Sequence, residues 1–424
     1  MSISQSVSEK SAISDVERDV ENTVNQKNKS KQQLIQREDA VYLRVTLSFF
    51  AAGLATFALV YFVQPILPIL SKEFNISPAN SSLALSLSTG MLSIGLLITG
   101  PLSDAIGRKN IMVVSLIAAG LFTLLSSVVT SWHGILLIRA LLGLSLSGIA
   151  AVGMTYLSEE IHPSYVALSI GLYISGNSMG GMSGRLIAGV VADHFSWRVI
   201  AILLGSFALV SAIAFWKMLP ESRHFKPSSL KPKALLINLK LHFRDQGLPL
   251  LFAEAFLLMG SFVTVFNYIG YRLLEAPYHL SPSIVGLLSI VFLTGTYSAI
   301  KAGSLTSKYG RGKVLLAAIS TMFIGCAITV FSHIWVVMLG IVILTMGFFA
   351  SHTVASGWIG QRAKRAKAQA SSIYLFCYYS GSSIAGTLGG IFWFHFKWNG
   401  VAIFILLLTA IGIYLGFKLN KLDK

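Results

Sequence analysis

The sequence predicts an all-α integral membrane protein: twelve transmembrane helices in two pseudo-symmetric six-helix bundles. Three observations predict it. Of 424 residues, 54% are hydrophobic and 12% charged, about half the charge with which soluble domains coat their surfaces. The apolar residues gather into runs of about 20 or more, enough for a helix to cross a hydrocarbon core. The pattern of the first six runs then returns in the last six. These runs do not alternate polar with apolar residues, so a membrane barrel is excluded. A secreted disulfide scaffold, a disordered chain and a cytosolic enzyme are excluded by the same composition.

Residues 1–40 differ from the rest of the chain. They are rich in Ser, Gln, Asn, Lys and Glu, with seven basic against seven acidic residues through Arg44. Without an apolar run they read as a disordered cytoplasmic tail and contain no signal peptide. Residues 41–218 hold spans near 45–70, 79–101, 110–131, 134–157, 165–192 and 197–218. A basic linker, 219–247, leads to residues 248–424, with spans near 248–272, 283–305, 313–332, 334–358, 370–394 and 397–418. Cys326 and Cys377 sit inside apolar segments with no CxxC partner and read as packing residues. No cofactor and no metal is expected.

The net charge of +16 invites a nucleic-acid reading, but that needs Lys and Arg gathered on one face. Instead, twenty of the 33 lie in the loops after even-numbered spans and at the C-terminus. The opposite loops hold only Lys72, Arg198, Arg272 and Lys397. The excess of positive charge on cytoplasmic loops therefore places both termini in the cytoplasm; the expected location is a bacterial inner (cytoplasmic) membrane. The expected partners are the bilayer, a small solute and protons, with no nucleic acid, and the chain is expected to act as a monomer.

The halves share more than span number. GPLSDAIGRK at 100–109 returns as GSLTSKYGRGK at 303–313, and ISGNSMGGMSGR at 174–185 aligns with YSGSSIAGTLGG at 379–390. Repeats of this kind put a substrate site near the midplane between them, with access alternating as one bundle rocks on the other. The chain carries no Walker motif, so an ion gradient is the expected energy source.

GPLSDAIGRK resembles the signature loop of the major facilitator superfamily, with Gly100, Leu102, Asp104, Gly107, Arg108 and Lys109 matching. LLIRALLGLSLSGIAA at 136–151 resembles that superfamily's second motif, keeping Arg139 and Gly143 but with Leu142 in place of its glutamine. GNSMGG at 176–181 resembles the antiporter motif, with Asn177 where the proline belongs. With YFVQPILPIL at 61–70, the chain looks most like the acriflavine-sensitivity branch, near the drug:proton antiporters. The resemblance implies that Asp104 latches a cytoplasmic gate, that Arg139 serves proton coupling or anion contact, and that spans 1, 4, 7 and 10 line the cavity.

Ionisable groups at membrane depth are costly and mark candidate sites. Here they are Arg139, Arg185, Glu254 and His352. On the cavity arrangement that the resemblance implies, Glu254 and His352 face one another, and either could carry a proton. Tyr61, Gln64, Asn177, Asn267 and Tyr268 complete the expected pathway, joined by Tyr271, Tyr374, Tyr378 and Tyr379 as lining candidates. Gly176, Gly180 and Gly184, with Gly381 and Gly389 in the second half, form small-residue faces that admit a close helix. They are read as packing faces first, and as the surfaces on which the halves rock. The expected function is proton-coupled export of a small organic or drug-like solute. The alternatives are a proton symporter importing a small solute, an anion among the options, and an integral-membrane enzyme. The enzyme reading rests only on the compact group Glu159, Glu160 and His162.

Overall fold

The computed structural model describes residues 34–225 and 232–423. Among them every regular element is a helix, and the only strand-like pairing is an isolated parallel bridge between Ile35 and Ile161. Spans 1 to 6 are Ala40–Tyr61, Pro78–Ile106, Arg108–Ser126, Trp132–Glu160, Pro163–His194 and Trp197–Met218. Span 7 is Leu248–Leu274; span 8 joins Pro282–Leu287 to Phe292–Tyr309 through one tighter turn; spans 9 and 10 are Arg311–Ile328 and Ile334–Arg362. Spans 11 and 12 lie within Lys367–Leu422 and are separated at Lys397, whose backbone leaves the helical region at φ 51°. Twelve spans result. With twelve crossings, Ala40 and Leu422 lie on one side, here called the terminal face; the other side is called the outer face.

Two sequence expectations change. The tail is expected to be disordered to residue 40, yet Ile35 donates its amide to Glu160 O at 2.8 Å and accepts from His162 N at 3.0 Å. Ile35 also packs on an apolar cluster of Phe49, Tyr156 and Ile161, which gives this segment a core to join. Residues 1–33 lie outside the described residues. Span 1, expected to run to residue 70, ends at Tyr61 and restarts as Leu67–Glu73. Pro65 has no amide to give and its ring crowds the carbonyl of Tyr61, so the helix opens over 62–66.

The internal repeat shows as matching packing. Built Cβ atoms on Gly176 and Gly180 of span 5 would stand 2.3 and 2.2 Å from the carbonyl oxygens of Phe50 and Leu54 in span 1. In span 11, one on Gly381 would stand 2.1 Å from Phe256 O of span 7. Gly107 and Gly310, at φ 107° and 84°, turn spans 2 and 8 into spans 3 and 9, using a left-handed backbone that glycine adopts freely.

The linker contains a helix, Pro232–Arg244. Its end is tied down by Asp245, which accepts from the amides of Gly247 and Leu248 at 2.8 and 2.7 Å and from Arg362 Nε. Partial burial works against the charge, but these donors outweigh it and hold the Asp245 carboxyl below its ordinary range. At the linker's start, buried Glu160 takes Ser222 Oγ and His224 N, while Glu159 takes Arg108. The compact titratable group therefore anchors chain segments, an arrangement unlike the convergent groups of an enzyme site.

Candidate functional site: the closed end of a cleft between the halves

The halves meet along spans 2 and 11 and along spans 5 and 8. On the first seam the hydroxyls of Ser86 and Thr387 lie 2.7 Å apart and Ser383 donates to Ser86 O, while Ser81 of span 2 meets Tyr271 of span 7 at 2.6 Å. On the second, Asp193 accepts from Ser283 N at 3.0 Å and Ser289 donates to Met182 O. Gly189 lies against Gly286 there, closer than any added Cβ would allow. Every one of these contacts lies in the outer half of the spans. The contact nearest the terminal face is Ser93 with Ser380 at 3.5 Å, at mid-depth. Further toward that face, Gly100, Gly171, Gly303, Gly357 and Gly360 have open space where a Cβ would stand. The seam between the halves is thus closed by hydrogen bonds on its outer side, and among the described residues none joins the halves nearer the terminal face.

Its closed end is built by the break in span 1. Opening the helix at Pro65 frees Leu59 O and Val60 O, and Arg139 reaches across from span 4 to serve them at 2.8 and 2.7 Å, with Nε on Ala84 O. All three guanidinium nitrogens are engaged and the residue is 3% exposed. This corrects its expected place on the pathway: Arg139 caps the broken helix and faces backbone. Arg139→Met should leave two buried carbonyls unserved, costing roughly 1–3 kcal/mol for each. Thermal unfolding in detergent checks this. A variant as stable as the wild type would refute the capping role.

The same break turns Gln64 inward. Gln64 accepts from Arg185 Nε at 2.6 Å and donates to Asn267 Oδ1 at 2.8 Å, a chain that crosses from one half to the other. The guanidinium of Arg185 lies over three rings, Tyr61 at 4.3 Å, Phe292 at 4.8 Å and Phe266 at 5.7 Å. Its Nη1 donates to Gly181 O. Tyr61 OH and Asn177 Oδ1 are buried without a hydrogen-bond partner. Arg185, Tyr61, Gln64 and Asn267 thus come together as a site, with Asn177 two turns before Arg185 on span 5.

Other candidates fall elsewhere. Glu254 and His352 do not face one another. Glu254 is fully buried, its carboxylate oxygens have no hydrogen-bond partner, and one lies 3.2 Å from where a Cβ on Gly412 of span 12 would stand. It points to the rear of its bundle. His352 Nδ1 meets Tyr374 OH at 3.0 Å and its ring lies 4.6 Å from Tyr378. Tyr268 donates to Gly386 O inside the second half. Asp104 pairs with Arg108 four residues on, and Arg108 reaches Glu159 at 2.7 Å, while Lys109 reaches Glu221 at 3.1 Å. Asp104 and Arg108 thus pair within the first half, and Lys109 pairs with the linker. The glycine faces pair span 5 with span 1 and span 11 with span 7, so each lies within one bundle. The halves meet instead along spans 2 with 11 and 5 with 8.

Sequence reasoning missed Phe57, Phe266 and Phe292, because a phenylalanine in an apolar run carries no mark of which way it faces. It also missed the serine seam, although Ser86 and Ser93 in span 2, with Ser380, Ser383 and Thr387 in span 11, recur at helical spacing.

Twelve spans in two matched bundles define the fold, and the chain belongs to the Major Facilitator Superfamily, whose profile matches residues 46–275 and again 255–423. It is a multi-pass membrane transporter of that type. It is 62% identical over 389 residues to the inner membrane transport protein YnfM of Escherichia coli (strain K12), covering 92% of this chain and 93% of that protein. It is 40% identical over 387 residues to the uncharacterized MFS-type transporter YybF of Bacillus subtilis (strain 168), covering 91% and 96%. Among solved structures it superposes on a bacterial homologue of the human lysosomal transporter Spinster with TM-score 0.75 at 14% identity, covering 91% of this chain and 98% of that one. The nucleoside transporter NupG gives TM-score 0.74 at 12% identity, covering 88% and 99%. These likenesses carry the fold.

Proposed function

We propose that the chain exports a small organic solute across the inner (cytoplasmic) membrane by alternating access, in exchange for protons, with the terminal face cytoplasmic. One observation carries the reading: the contacts joining the halves lie in the outer half of the spans, which makes this arrangement one end state of a rocking pair. The basic loops on the terminal face support the orientation, and the likeness of GNSMGG to an antiporter motif supports the direction. Glu254 and His352 are the proton groups, both in the second half, with His352 bonded to Tyr374. Burying an unpaired carboxylate charge is costly, so proton exchange at Glu254 must accompany a change in its surroundings.

Reconstitution in vesicles with a pH-sensitive dye tests this. Proton movement opposite to solute movement is expected. Glu254→Gln and His352→Gln should each abolish that coupling while leaving solute exchange across the membrane. Protons moving with the solute would instead make the chain a symporter, and unchanged coupling in Glu254→Gln would remove Glu254 from the proton route.

A further inference from the structure

Arg185 stands at the closed end of the cleft. Its guanidinium is held at Nε by Gln64 and at Nη1 by Gly181 O, and its second terminal amine makes no hydrogen bond among the described residues. No carboxylate pairs with it; the ion pairs of the described residues lie at the helix ends or in the linker. The one acid inside a span, Glu254, points to the rear of its bundle against span 12. An arginine that is 4% exposed at membrane depth is thus left without a counter-charge.

The surroundings describe what would complete it. Tyr61 OH, buried and unpartnered, belongs to the ring that lies nearest the guanidinium. Phe57 is half-buried, with its ring 5.8 Å from Tyr61. From the other half, Phe266 and Phe292 pack on the guanidinium and continue through Phe262, which stacks on Phe348 at 3.9 Å, into an aromatic wall. A cation with one spare donor, a hydroxyl beside it and an aromatic wall form a site for a negative head on an apolar body.

Resting on the transport reading above, we propose that the substrate is an organic monoanion. Its carboxylate or sulfonate binds Arg185 and Tyr61, and its aromatic or apolar body lies along Phe57, Phe266 and Phe292. Because Arg185 also touches Phe266 and Phe292 of the other half, a bound anion draws the guanidinium from these rings and loosens the outer closure. A cationic solute finds repulsion at the same place.

The test uses full-length protein in lipid nanodiscs and equilibrium binding of benzoate, benzamide and benzylamine, with 2-naphthoate and 2-naphthamide as a larger pair. Each carboxylate should bind about tenfold or more tighter than its amide, as a charge-assisted contact implies, and benzylamine weakest of all. Arg185→Gln should bring carboxylate and amide to the same affinity, and Tyr61→Phe should narrow the gap without a change of charge. Equal binding of acid and amide in the wild type, or tightest binding of benzylamine, overturns the proposal even if Arg185→Gln does not fold. Flux of the same probes in vesicles separates the two readings. Anion-selective binding without any flux refutes transport and leaves the site standing. Flux of neutral or cationic probes without anion preference refutes the site and leaves transport standing.

Discussion

A disulfide between Ser86→Cys and Thr387→Cys should stop transport. The two hydroxyls lie 2.7 Å apart on the outer part of the seam between spans 2 and 11, so sulfurs in their places come within reach of the roughly 3.5–4.5 Å Cβ separation that a disulfide needs. Closing it fixes the halves together on the outside, and a carrier confined to one state turns over only as often as the bond opens. With Cys326 and Cys377 replaced by alanine, oxidised protein should show a fall in flux of about 100-fold or more, in the manner of a locked two-state equilibrium. Reductant should restore it, and neither single cysteine should respond. Unchanged flux with the disulfide formed, verified by mass spectrometry, would mean that spans 2 and 11 do not part during transport.

Gly381→Val should leave little folded protein. A single Cβ there would stand 2.1 Å from Phe256 O, a backbone atom that no rotamer change can move. Overpacking a buried site costs about 1–3 kcal/mol where side chains yield, and here spans 7 and 11 must separate along their length. Gly180→Val meets the same obstacle at Leu54 O in the first half. Gly171→Ala faces open space and supplies the control. The measurement is the fraction of monodisperse protein recovered in detergent and its unfolding temperature. Wild-type behaviour of Gly381→Val would show that the two spans are not in backbone contact.

The class, the number of spans and their division into halves were legible, because lipid solvation writes itself into the sequence as long apolar runs with charge confined to loops. Gly176, Gly180 and Gly184 were legible as a tight face, but not what they face. Small-residue spacing says that a helix approaches closely and nothing about which helix. Arg139 and Arg185 look alike in sequence, each a lone arginine in a span. What separates them is the broken helix at Pro65, whose freed carbonyls absorb one guanidinium and whose Gln64 orients the other. Glu254 and His352 share a bundle, but only side-chain direction shows that the acid faces span 12 and the histidine faces Tyr374. Such directions depend on tertiary packing and leave no trace in residue order.

An anionic substrate also suits the proposed direction. Across a membrane that is negative inside, moving one negative charge outward is favoured by about 2.3 kcal/mol per 100 mV. A proton entering in exchange adds a second charge moving in its preferred sense. Export of an organic anion would therefore respond to membrane potential as well as to the pH gradient.

Alternating access is the central claim, and distances between spin labels test it most directly. One pair, on Gly171 and Gly360, reports the terminal ends of spans 5 and 10; a second, on Ser131 and His333, reports the outer ends of spans 4 and 10. Distances are measured in nanodiscs between about pH 5 and about pH 8, the range over which histidine changes charge, with and without benzoate. Rocking of the halves predicts that the two pairs change in opposite senses, the terminal pair shortening as the outer pair lengthens. Two pairs that hold one distance throughout, or that lengthen and shorten together, would contradict it.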